Sequence, residues 1–182
     1  MTYAIRTYGD PVLKTKAAAV GDIDAKVVRL VDDMFDALAE SGNGLALAAP
    51  QIGVRKQVVV WDLGEGQRHA IINPEVVESD GEWVYDEGCL SIPGLYVEMV
   101  RPKTVLVRGF GIDGEAVDYE ADELEARMFQ HEIDHLNGIL MFDRLPPDQR
   151  REALAEYRRI QRAGEAGELT RSDSRFRRLR LR

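Results

Sequence analysis

Apolar residues recur every three or four positions between Ala25 and Glu40: Val27, Leu30, Val31, Met34, Phe35 and Leu38. That spacing stacks them on one face, so a first helix is predicted there. Asp24 stands where a side-chain oxygen caps the first turn, and Gly42 lies just past the end. The pattern then changes to short runs. Gln57–Asp62 is β-branched, Ile71–Val77 carries a kink at Asn73-Pro74, and Trp83–Ser91 alternates weakly. Leu95–Met99, Thr104–Phe110 and Glu115–Tyr119 follow as predicted strands, and Tyr3–Thr7 is strand-like at the start. The links at Arg101-Pro102 and Ile112-Asp113-Gly114 are too short for helical crossovers, so antiparallel pairing is predicted. A second helix spans Asp122 to Leu136, with Leu124, Met128, Ile133 and Leu136 as its apolar stripe and Gly138 at its end. Met141–Leu145 reads as a short extended piece. Pro146-Pro147 then opens a third helix over residues 148–163, whose Glu-to-Arg spacings mark a solvated face.

These elements predict an α+β fold, with antiparallel sheets packed around the second helix and further helices toward each terminus. Residues 1–165 are expected to form a single domain, and 166–182 a basic, flexible tail. A chain of 182 residues with 45% hydrophobic content can bury a core of its own. The net charge is −8, and no run approaches the ~18 apolar residues of a membrane span. MTYAIRTYGDP at the start lacks the apolar region of a secretory signal, so a cytoplasmic location is expected. One cysteine, Cys89, rules out an intrachain disulfide and leaves either a small buried hydrophobe or a reactive or ligating thiol. The segment 171–182 carries six arginines against one aspartate, which suits either a nucleic-acid contact or a solvated tail.

The chemistry concentrates in Gln130–Gly138, QHEIDHLNG. His131 and His135 are four apart, so on a helix both imidazoles can reach one metal ion. Glu132 lies beside them, able to take a proton from a water on that ion. The same spacing also arises on solvated helix turns, so a third ligand matters. Cys89, between Gly88 and Leu90, offers a thiolate, and a glycine before it would free the backbone to turn toward the ion. His69 has no partner near it in sequence and reads as a non-ligand. GNGLALAAPQIG, residues 42–53, sets small apolar residues around the polar side chain of Gln51. Composition leaves a packed loop and a substrate-facing wall both open.

Three blocks in order, GLALAAPQIG (Gly44–Gly53), EGCLS (Glu87–Ser91) and QHEIDHLNG, resemble the peptide deformylase family. YGDPVLKTKA (Tyr8–Ala17) and INPE (Ile72–Glu75) are also similar to its motifs, and the C-terminal helix resembles that of its bacterial branch. The resemblance implies removal of the formyl group from N-formylmethionyl nascent polypeptides. It implies Cys89, His131 and His135 as metal ligands, Glu132 as general base and then acid, and Gln51 with the Leu90 N–H as oxyanion donors. Gly44, Leu45, Ala46, Glu87, Gly88, Met128 and Phe129 would contact substrate, with Arg101 a partner for Glu87. Fe(II) is implied in the cell, with nickel, cobalt or zinc able to replace it. A monomer touching the ribosome through its C-terminal helix and tail is expected. Ala46 departs from the family, which has glycine there; the added methyl could narrow the site. Two alternatives stand beside this: a zinc peptidase using Glu152 or Glu156 as third ligand, and an RNA-binding protein with a vestigial metal site.

Overall fold

A computed structural model of the chain describes residues 3–64, 66–165 and 177–179. Helix α1 is Ala25–Ser41, α2 Glu123–Leu136, α3 Met141–Arg144 and α4 Pro147–Glu165. Strands β1 to β8 are Ala46–Ala48, Val58–Trp61, His69–Asp80, Trp83–Cys89, Ile92–Arg101, Thr104–Phe110, Ala116–Asp122 and Arg177–Leu179. They form one sheet of order β1-β2-β3-β6-β7 and another of order β4-β5-β8. Every pairing is antiparallel except β5 with β8. The α+β prediction with antiparallel sheets therefore holds.

Helix α2 buries nine of its 14 residues, so it must be packed from more than one side. Phe129, Ala126 and Leu136 meet Val59, Trp61, Ile71 and Val107 of the five-stranded sheet. Val58 and Val60 point the other way, against Met34, Phe35 and Leu38 of α1. Strand β2 is thus buried on both faces, which is why its sequence is continuously apolar and does not alternate. A third cluster joins Leu95, Val97 and Met99 of β5 to Met141, Phe142, Ala153 and Tyr157. Asp24 accepts from the N–H groups of Lys26 and Val27, and Gly42 ends α1 with φ 76°, as the sequence predicts. Strand β3 breaks register between Ile72 and Glu75. There Asn73 adopts φ 53° and its amide bonds both the N–H and the carbonyl of Val20 at 2.8 Å.

Three local expectations are corrected. Tyr3–Thr7 is not a strand: Arg6 N–H bonds the Gln51 carbonyl and Tyr8 N–H that of Ser91, two different segments, so no ladder forms. Met141–Leu145 is largely helical, because the Leu140 N–H bonds Asp143 and starts a turn that buries Met141 and Phe142. Leu124 is 43% exposed and stands off the buried face of α2. Within the basic tail, Arg177–Leu179 pair parallel with Leu95–Val97; residues 166–176 and 180–182 lie outside the described residues. No helix among the described residues is long and apolar enough to cross a membrane.

Candidate active site

Two elements bring the donors together. Helix α2 places His131 and His135 one turn apart, with their Nε2 atoms 3.2 Å from each other. Strand β4 ends at Cys89, whose Sγ lies 3.2 Å from His135 Nε2. All three donor atoms fall within 4.8 Å of one another. The β4–β5 register shifts between Gly88 and Cys89, turning the thiol inward. Gly88 serves this turn by giving room. A Cβ at this position would stand 2.5 Å from the Tyr96 ring.

The histidines are oriented by a buried charge network. Glu87 lies 2.6 Å from His131 Nδ1, which favours the proton on Nδ1 and leaves Nε2 free to ligate. Arg101 grips both Glu87 oxygens, at 2.7 and 2.6 Å, and also Asp134 at 2.9 Å. Arg127 adds a further bond to Glu87 at 2.9 Å, and Arg144 bonds Asp134 from the surface side. Burial would raise the Glu87 pKa, but His131 and Arg101 together hold it far below the ordinary carboxylate range. Burial would lower His131, yet the Cys89 and Glu87 acids beside it raise its pKa. His135 is lowered, first by burial and then by His131. Two imidazole nitrogens at this distance cannot both hold a proton on the facing side.

Glu132 is 5% exposed and its Oε2 has no partner among the described residues. Burial pushes its carboxyl up to about 7. Gln51 is 1% exposed. Its Oε1 accepts the Ala48 N–H at 2.8 Å, which turns Nε2 toward Ser91 Oγ at 3.3 Å and Cys89 Sγ at 3.9 Å. Segment 42–53, left open by composition, is strand β1 followed by a tight helical turn, and it forms a wall.

Gln51, Cys89, His131 and Glu132 border a cleft of about 840 Å³. Gly44, Leu45, Ala46, Glu87, Gly88, Leu90 and Met128 line it. Phe129 is the correction. It is fully buried against Trp61 and Tyr119, because a step of about 100° along a helix turns it from the cleft to the sheet. Ala46 borders the cleft but also packs in the cluster holding Trp61 and Met128. His69 stacks on Trp61, away from the donors. Sequence reasoning missed Arg127, Asp134 and Ser91, and also Ile160 and Gln161 of α4, which border the cleft.

A thiol and two imidazoles converging on one point, one ring braced by a carboxylate, fit a borderline divalent cation with a fourth position left for water or substrate. The unpartnered Glu132 oxygen fits a neighbouring proton acceptor. The peptidase alternative lacks its ligand: Glu152 is exposed and Glu156 pairs with Arg159 at 2.6 Å.

A family model described as Polypeptide deformylase matches residues 2–151. The peptide deformylase of Halothermothrix orenii is 46% identical over 142 residues, 78% of this chain and 92% of that protein. That of Acidobacterium capsulatum is 41% identical over 169 residues, 91% of this chain and 99% of its own length. The crystal structure of a peptide deformylase from Legionella pneumophila superposes with a TM-score of 0.83 at 36% identity, covering 91% of this chain and 98% of that one.

Proposed function

The chain belongs to the polypeptide deformylase family, hydrolases of formylmethionyl peptides, and from that premise we propose how its residues divide the work. Cys89, His131 and His135 hold the metal, Fe(II) in the cell, with nickel, cobalt or zinc able to take its place. A cation bound there would activate water and polarise the formyl carbonyl.

The remaining steps belong to side chains. Glu132 takes the proton of the attacking water on its unpartnered Oε2 and then delivers it to the leaving amine. Burial disfavours the charged form of this carboxyl, which makes it a stronger proton acceptor than a solvated one. Gln51 Nε2 and the Leu90 N–H donate to the carbonyl oxygen as charge builds on it. The Ala48 N–H holds the Gln51 amide in that direction before substrate arrives, so the donor needs no reorganisation. Ala48 and Ala49 are fully buried beside it, and such small side chains suit a formyl carbon that bears only hydrogen. The products are formate and a free methionyl N-terminus.

We assign the protein to the cytoplasm as a monomer, with ribosome contact through α4 and the basic tail. Support for the contact is the exposed arginine set Arg150, Arg151, Arg158, Arg159 and Arg162. The single observation that carries the mechanism is the convergence of one sulfur and two Nε2 atoms beside Glu132. Formate release from a formylmethionyl peptide by anaerobically prepared, iron-loaded protein tests it. Turnover is expected for the native chain and not for Glu132→Gln; equal turnover by both would remove Glu132 from the mechanism.

A further inference from the structure

The three metal-site donors come from two separate elements, β4 and α2. Something must fix the distance between them: Glu87 reaches His131 directly, Arg101 links carboxylates of both elements, and Arg127 also reaches the strand backbone. Arg127 sits on α2 one turn before His131 and is 3% exposed. Its Nη1 donates to Glu87 Oε2 at 2.9 Å. Its Nη2 donates to the Trp83 carbonyl at 2.7 Å and to the Met99 carbonyl at 3.0 Å. Its guanidinium carbon lies over the Trp83 ring, 5.2 Å from the centroid. One planar group thus ties the helix to the side chain that orients His131, to the backbone of the strand that ends at Cys89, and to the neighbouring strand. Arg101 bonds carboxylates of both elements but, among its described bonds, reaches no main-chain carbonyl.

We propose that Arg127 is a positioning residue, a brace that keeps the thiol of β4 and the imidazoles of α2 at metal-binding separation. The proposal rests on the metal assignment above. A guanidinium is required because its fork can bond a carboxylate and two carbonyls in one plane, whereas a lysine ammonium presents a point charge on a flexible stem. Partners that orient metal-bound histidines are typically worth about 10- to 100-fold in metal affinity.

Cobalt(II) titration of the full-length, metal-stripped protein, followed by the thiolate-to-cobalt absorption band and by competition with a chelator, tests this. Arg127→Met keeps an unbranched apolar stem and removes the fork. It is expected to bind cobalt about 10- to 100-fold more weakly, with the thiolate band weakened or moved. Arg127→Lys, which keeps a buried cation, is expected to lie between the two and decides the matter if the methionine variant fails to fold. A merely structural arginine would lower the melting temperature in both variants and leave cobalt affinity and the band as in the native protein. That result would overturn the proposal. Absence of a thiolate band in the native protein would instead overturn the metal assignment, so the two failures are distinguishable.

Discussion

Ionising Glu132 in the metal-free protein costs folding free energy, and the size of that cost follows from its surroundings. The side chain is 5% exposed and one oxygen has no partner. Burial is the largest influence on its pKa, offset in part by His131 and by the Ala48 amide, and moves it from 4.5 to about 7. The folded state therefore holds the proton more tightly than the unfolded chain. Stability from this group is complete below pH 4.5 and is lost as pH rises through 7. At about 1.4 kcal/mol per pH unit, that gap amounts to roughly 3 kcal/mol. Glu132→Gln keeps the shape and carries no charge, so it escapes the loss. Urea denaturation of the chelator-treated native chain and variant, across this pH range, reads the difference directly. The glutamine variant is expected to gain roughly 3 kcal/mol on the native chain between acidic and mildly alkaline pH. Groups that titrate in both proteins drop out of the comparison to first order. Saturation with metal is expected to flatten the slope, because a dication beside the carboxylate favours its ionised form. A stability difference that stays flat with pH, or slopes the other way, would show that the fold does not raise the Glu132 pKa.

Gln51→Leu removes the Nε2 donor while keeping most of the volume. It should lower kcat by about 100- to 1000-fold with little change in KM, and unchanged kcat would exclude the donor role. Ala46→Gly deletes a methyl packed among Trp61 and Met128 and loosens a buried strand. A stability loss of about 1–2 kcal/mol by urea denaturation is expected, whereas a gain would show that the methyl is strained. Deleting 171–182 should weaken ribosome binding at low salt, with the effect fading as salt rises, and spare turnover of a short formylated peptide. Unchanged ribosome affinity would remove the tail from that contact.

Helix α1 was legible because it carries a one-sided apolar stripe, and both α1 and α2 end at a glycine stop signal, Gly42 and Gly138. The donors were legible because their chemistry is local, four residues apart on one helix, with a lone cysteine to complete the set. Gln51 stood out as a polar side chain set inside an apolar run. What stayed hidden depends on distant packing. Arg127 and Asp134 look solvated in sequence, yet they are 3% and 5% exposed because Glu87 and Arg101 neutralise them from other strands. Arg127 left one trace, its spacing of four before His131, which puts it on the histidine face. Met141–Leu145 is too short for a period to separate turn from strand, and the bond from Leu140 N–H to Asp143 decides it. Phe129 looked like cleft lining because it neighbours Met128 in sequence, and the sheet beneath α2 claims it.

X-ray absorption at the metal edge of anaerobically loaded protein tests the site most directly. The expected coordination shell contains one sulfur and two histidine nitrogens, and the sulfur contribution disappears in Cys89→Ser. A shell of nitrogen and oxygen alone in the native protein, or a sulfur signal that survives the substitution, would contradict a metal held by Cys89, His131 and His135.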